Sequence, residues 1–152
     1  MLNKDAQLNP KVFEKDVEQL PIRQGFGEGL LDAGKSDKNI VALCADLTES
    51  TKMDAFAKAF PERFVEMGVA EQNMATVAAG MALYGKIPFI TSYAAFNPGR
   101  NWEQIRTTIG INNIPVIVCG MHAGVSVGPD GATHQALEDM ALMRSIPHFT
   151  VI

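Results

Sequence analysis

Apolar positions along this chain fall into short β-branched runs separated by segments of helical period. Ile40 to Ala45, Phe64 to Met67, Pro88 to Ser92, Val116 to Cys119 and Phe149 to Ile152 read as strands. Arg23 to Ala33, Lys52 to Phe60, Glu71 to Tyr84, Trp102 to Ile109 and Gln135 to Met143 read as helices. Strands alternating with helices imply an α/β fold, a three-layer αβα sandwich with a mostly parallel central sheet. Residues 1–20 are polar and irregular, with a weak helical stretch from Val12 to Leu20, which leaves 21–152 as the folded domain. From Met74 to Leu83 no charge interrupts the helical pattern, so burial on most faces is expected. Glu71 then opens a buried helix at the carboxyl end of a core strand, the edge where open α/β sheets bind ligands. Taken alone, it reads equally well as a first-turn carboxylate facing the helix macrodipole.

Composition narrows the function without naming it. The 152 residues are 47% hydrophobic and 20% charged, which suits one domain with a substantial core. A net charge of −4, with scattered lysines, gives no footprint for nucleic acid. No apolar run reaches membrane-spanning length and the start Met1-Leu2-Asn3-Lys4-Asp5 has no signal-peptide core, so a cytoplasmic protein is expected. Cys44 and Cys119 sit inside strand patterns and read as small core residues.

Two patterns are decoys. Gly25-Phe26-Gly27-Glu28-Gly29-Leu30 suggests a dinucleotide loop, but it follows no strand and its last spacing is one residue short. Its glycines are better read as permitting close helix packing, or as simply tolerated. His122, Asp130 and His134 could be drawn as metal ligands, but their spacing does not make three or four ligands converge, and no metal site is expected.

Three blocks, in order, carry chemistry. Gly68-Val69-Ala70-Glu71-Gln72-Asn73 is the first. The second is Thr91-Ser92-Tyr93-Ala94-Ala95-Phe96, running on to Trp102-Glu103-Gln104-Ile105-Arg106. The third, His122-Ala123-Gly124-Val125-Ser126-Val127-Gly128-Pro129-Asp130-Gly131-Ala132-Thr133-His134-Gln135, pairs turn-forming glycines with directed polar groups. Alone, Asp130-Gly131 is an ordinary turn and His134 a surface histidine. Together they resemble the pyrimidine-binding domain of transketolase-like thiamine diphosphate enzymes, over about residues 20–152, and most closely the second subunit of two-chain transketolases.

The resemblance implies a transferase of carbohydrate metabolism that moves a two-carbon ketol unit between sugar phosphates, as in the pentose phosphate reactions. It implies that Glu71 activates thiamine diphosphate by a hydrogen bond to N1′ of the aminopyrimidine. Phe96 would pack on that ring, with Tyr93 and Trp102 as neighbours, and Asp46 would end a strand near the thiazolium. Asp130 and His134 would face the sugar, with His122 lining the same pocket. The family's diphosphate motif is not matched here. The cofactor is therefore expected to be shared with a diphosphate-binding subunit or domain that holds Mg2+, and the chain reads as a split or truncated one, inactive alone. Without that partner, self-association to a dimer or other homo-oligomer is expected. Two alternatives remain. A 1-deoxyxylulose-5-phosphate synthase shares the glutamate and the Asp-Gly-x-Thr-His-Gln loop, although His122 stands where that pattern has arginine. A non-catalytic partner subunit is the other, although it would have no need of Glu71.

Overall fold

The computed structural model describes residues 7–152. Its centre is a four-stranded parallel sheet of β1 (Ile40–Cys44), β2 (Phe64–Glu66), β3 (Ile87–Tyr93) and β4 (Ile117–Met121), in the order β2-β1-β3-β4. Every residue of β1 is buried, as a central parallel strand requires. Its side chains alternate between the two faces. Ile40, Ala42 and Cys44 meet Leu30 of α1 (Ile22–Ser36) and Phe56 of α2 (Asp54–Ala59). Val41 and Leu43 meet Met74, Ala75 and Ala78 of α3 (Glu71–Leu83) and Ile105 beyond α4 (Trp102–Gln104). Met143 of α5 (Asp139–Arg144) closes that second layer. The expected three-layer αβα sandwich is therefore formed.

α1 and α2 approach closely through two glycines. A Cβ on Gly34 would lie 2.5 Å from the Phe56 ring, and one on Gly27 would lie 2.3 Å from the Lys52 carbonyl. Gly25 and Gly29 meet nothing, so the glycine-rich stretch divides into packing and tolerated positions and forms no ligand loop. Arg63 finishes α1 by donating to the Gly34 and Asp37 carbonyls at 3.0 and 3.1 Å, with its guanidinium carbon 3.7 Å from the Phe60 ring centroid.

Five expectations need correction. Val12 to Leu20 forms isolated turns and no helix; Pro10 and Pro21 bound it, and Phe13 and Leu20 stand exposed. α3 buries one stripe, Glu71, Met74, Ala75, Ala78, Ala79 and Ala82, while Gln72, Asn73, Thr76 and Leu83 face outward. Its lack of charge reflects small and polar uncharged residues on the outer face, so the absence of charge did not signal burial. The helix expected to Ile109 turns π-helical over Ile105–Gly110, where the Thr107 hydroxyl donates to the Glu103 carbonyl and competes with the backbone ladder. The helix expected from Gln135 begins only at Asp139, because Ala136 pairs its backbone with Gly124. Phe149 to Ile152 is not a strand; Phe149 and Val151 pack on the core without a hydrogen-bonded neighbour.

A groove of about 520 Å³ runs along the free side of β4, between Ile114–Val118 and residues 148–152. None of the candidate chemical residues lines it. No helix among the described residues is long and apolar enough to cross a membrane.

Candidate functional site

The strands end together at Cys44, Glu66, Tyr93 and Met121, and the chemistry gathers at that edge. Glu71 follows β2 through a turn in which Gly68 has φ +68°, a conformation that costs a glycine little. It lies in the first turn of α3, 2% exposed, with Arg100 Nη1 donating to its Oε2 over 2.7 Å. Its backbone carbonyl accepts from Asn101 Nδ2 at 3.1 Å. Glu71 is therefore fixed both through its main chain and at its carboxylate. The guanidinium carbon of Arg100 also stands 4.5 Å from the Phe96 ring centroid.

Tyr93, the buried last residue of β3, is the hub of an aromatic row. Phe96 stacks nearly parallel to it, with centroids 6.3 Å apart and planes at 13°. His122 tilts against Tyr93 at 4.1 Å, and His134 meets Tyr93 and Phe96 edge-on at 6.0 and 5.2 Å. Residues from the second and third sequence blocks thus meet around one ring, because Met121 aligns with Tyr93 in the β3–β4 register.

His122 has φ 53° and lies 3.2 Å from Arg23 Nη1 through its Nε2. Arginine only donates, so Nε2 accepts and the ring proton resides on Nδ1. That Nδ1 is buried and has no partner among the described residues. Burial, and then the Arg23 charge, push the His122 pKa below the ordinary histidine value, while Asp130 pulls it partly back. Arg23 also donates to the Ser50 carbonyl at 3.2 Å, which ties α1 to the loop after β1.

The 122–136 loop closes on itself. The Gly124 N–H donates to the Ala136 carbonyl at 2.7 Å, and Gln135 Nε2 donates to the Val125 carbonyl at 3.1 Å. Asp130 is exposed on a 3-10 turn, Gly128–Thr133, and Gly131 has φ +70°. Thr133 Oγ1 and His134 Nδ1 share a hydrogen bond of 2.8 Å.

Two candidates lie apart from this row. Trp102 turns into the core, its indole N–H donating to the Leu142 carbonyl at 3.0 Å, and the structure does not bring it to Phe96. Asp46 stands at the end of β1 with φ 59°, where its N–H donates to Glu66 Oε1 at 2.7 Å. Glu66 also accepts from the Gly68 N–H at 3.1 Å and from Thr48 Oγ1 at 2.6 Å, so one carboxylate organises the turns after β1 and β2. Sequence reasoning singled out neither Glu66, Arg23 nor Arg100 for a role. The sole available signal was a charged residue at a strand end or beside a motif. The Cys119 thiol is pushed up to about 12 by burial, and the Cys44 thiol is also raised, chiefly by burial. Neither is poised as a nucleophile.

A parallel sheet with a buried carboxylate and an aromatic row at its carboxyl edge defines an α/β ligand-binding domain. Residues 18–152 match the family model of the transketolase pyrimidine-binding domain, and the chain belongs to that family. It is 50% identical over 131 residues to a transketolase C-terminal section from Methanocaldococcus jannaschii, covering 86% of this chain and 42% of that protein. A 1-deoxy-D-xylulose-5-phosphate synthase from Desulfotalea psychrophila is 40% identical over 127 residues, covering 84% of this chain and 19% of that protein. Among solved structures, a split-gene transketolase in the form of an inactive β4 tetramer superposes with a TM-score of 0.73 at 47% identity. That likeness covers 86% of this chain and 41% of the other. The chain spans less than half the length of these relatives.

Proposed function

We propose that this chain supplies the pyrimidine-binding half of a transketolase active site, in which a two-carbon ketol unit passes between sugar phosphates. The observation that carries this reading is Glu71, a carboxylate 2% exposed at the carboxyl edge of the sheet, with its Arg100 partner lying over the Phe96 ring. A buried carboxylate beside an aromatic face suits a flat, nitrogen-bearing heterocycle, and the residues present fit the aminopyrimidine of thiamine diphosphate. When bound, that cofactor supplies the acidic thiazolium carbon and the electron sink.

The remaining work falls to this chain's own side chains. Glu71 shares a proton with the ring nitrogen N1′, while Phe96, backed by Tyr93, holds the ring plane. His134 borders Phe96 and reaches toward the sugar. His122 packs on Tyr93 in the same row, the exposed Asp130 acts on His122 electrostatically, and Arg23 adds a fixed positive charge beside His122 that suits an anionic substrate end. Asp46 serves the thiazolium side. Mg2+ and the diphosphate belong to a partner subunit or domain, and a cytoplasmic setting suits a sugar-phosphate substrate. Without the partner, Val69, Val125 and Leu137, which are 70%, 65% and 73% exposed in the segments carrying the site, favour self-association.

The synthase likeness at 40% identity keeps one competing reaction in view. Both are tested together by assembling the chain with a diphosphate-binding partner, thiamine diphosphate and magnesium, and assaying ketol transfer beside deoxyxylulose-phosphate formation. The expected product is the transferred ketose. Glu71→Ala should lose at least ~100-fold in turnover, and near-normal turnover at saturating cofactor would sink the reading.

A further inference from the structure

Arg100 makes two contacts that no role given so far explains. Its Nη1 donates to Glu71 Oε2 at 2.7 Å, and its guanidinium carbon stands 4.5 Å from the centroid of the Phe96 ring. One flat cation therefore hydrogen-bonds the buried carboxylate and covers the aromatic face at once. A guanidinium is a planar N–C–N system that donates from its edge. An aminopyrimidine is also flat, its ring nitrogen N1′ donates in that plane when it carries the shared proton, and the reading above gives its ring these same two partners.

We propose that Arg100 is a displaceable plug of the pyrimidine subsite: in the free chain its guanidinium stands between Glu71 and Phe96, and an aminopyrimidine enters as that side chain swings out. The proposal rests on the assignment of Glu71 and Phe96 to the cofactor ring.

The two walls of the subsite are anchored and the plug is not. Glu71 is 2% exposed and its carbonyl is held by Asn101. Phe96 is fixed by its own N–H donating to the Tyr93 carbonyl at 2.8 Å. The Arg100 side chain is 44% exposed, and among the described residues its one hydrogen-bond partner is Glu71. Rotation about its side-chain bonds carries the guanidinium into solvent while the backbone N–H stays on the Phe96 carbonyl at 3.0 Å. Departure of the cation leaves a buried carboxylate uncompensated. The incoming ring must therefore bring a hydrogen-bond donor, and an apolar ring of equal size cannot replace Arg100. The plug thereby selects the chemical class of the occupant: flat, with a protonatable ring nitrogen that can donate.

The test uses the full 152-residue chain and the free ring 4-amino-2,5-dimethylpyrimidine, with binding read by saturation-transfer NMR and by thermal shift. Arg100→Ala should bind the ring at least tenfold more tightly than the unmodified chain, and the Arg100→Ala/Glu71→Gln double variant should lose most of that gain. Weaker binding by Arg100→Ala would show that Arg100 helps hold the ring, and equal binding that it obstructs nothing; either result would overturn the plug while leaving the subsite intact. Undiminished binding by the double variant would place the ring away from Glu71 and overturn the pyrimidine reading instead. No binding to any folded variant overturns the proposal. Should Arg100→Ala not fold, Arg100→Gln keeps the stem, loses the flat cation, and should shift affinity in the same direction.

Discussion

Asn101 Nδ2 donates to Asn97 Oδ1 over 2.9 Å, and this bond couples the start of α3 to the middle of two strands. Asn97 Nδ2 donates in turn to the carbonyls of Ile90 and Cys119 at 3.1 and 3.2 Å, on neighbouring β3 and β4. The other acceptor of Asn101 Nδ2 is the Glu71 carbonyl. Both asparagines are fully buried. The position of the Glu71 main chain is thus set by a relay of side-chain amides that starts in the sheet.

Breaking this relay should cost stability. Asn97→Ala leaves Asn101 and two strand carbonyls without their amide partner, and a loss of about 2–3 kcal/mol is expected from buried unsatisfied groups. Chemical denaturation of the variant measures it. A loss below about 0.5 kcal/mol, the range of an ordinary surface change, would mean that water replaces the amide.

Two glycines of α1 should respond in opposite directions. Gly27→Ala forces a Cβ against the Lys52 carbonyl, and about 1–3 kcal/mol of destabilisation is expected from overpacking. Gly29→Ala meets nothing and should gain about 0.5–1 kcal/mol from helix propensity. Thermal midpoints of the pair give a direct comparison, and equal shifts would contradict the packing of α1 on the loop before α2.

Stability should fall as acid is added through the histidine range. His122 in the fold binds its proton less readily than in the unfolded chain, because burial and then Arg23 oppose the imidazolium. The unfolded state therefore takes up protons first. The contribution is complete above the ordinary value of 6.5 and declines as pH drops toward the lower folded value. Denaturant midpoints between about pH 8 and about pH 5 should slope downward, and His122→Gln should flatten that slope. An unchanged slope in the variant would assign the titration elsewhere.

Alanine at Asp130 or His134 should act on the sugar side. In the assembled enzyme each change is expected to raise the apparent Michaelis constant for the sugar phosphate or to slow turnover, with cofactor affinity near that of the unmodified protein. Calorimetry with thiamine diphosphate separates the two effects. Failure of both folded variants to bind the cofactor would move these residues to the pyrimidine side, where the edge-on contact of His134 with Phe96 already brings one of them close.

Elements whose signal is local were legible in the sequence. The apolar run of β1 and the step from Gly68 to Glu71 need no distant partner to be recognised, and the Asp130-to-His134 block announces a turn with polar groups. What escaped depends on long-range pairing. Arg100 meets Glu71 across 29 positions, Asp46 meets Glu66 across 20, and Arg23 meets His122 across 99. The same limit explains the secondary structure that differed. Gln135 to Glu138 has helical composition, yet Ala136 is claimed by Gly124. Phe149 to Ile152 has strand composition but no adjoining ladder. Trp102 looked like part of the aromatic row, and only the position of Leu142 reveals that its indole faces inward.

The paired backbone bonds between Gly124 and Ala136, at 2.7 and 3.2 Å, bear on how the chain would meet another molecule. A loop of this length left open would sample many shapes and lose that freedom on encounter. Here the ring of chain from His122 to Ala136 is already cinched, so its configurational entropy is lost when the domain itself folds. A molecule that docks against this loop would therefore meet a surface of set shape, and association can be fast and selective with little rearrangement. Loosening the cinch, for example with proline at Ala136, would be felt first as a slower on-rate, before any contact with the bound molecule had changed.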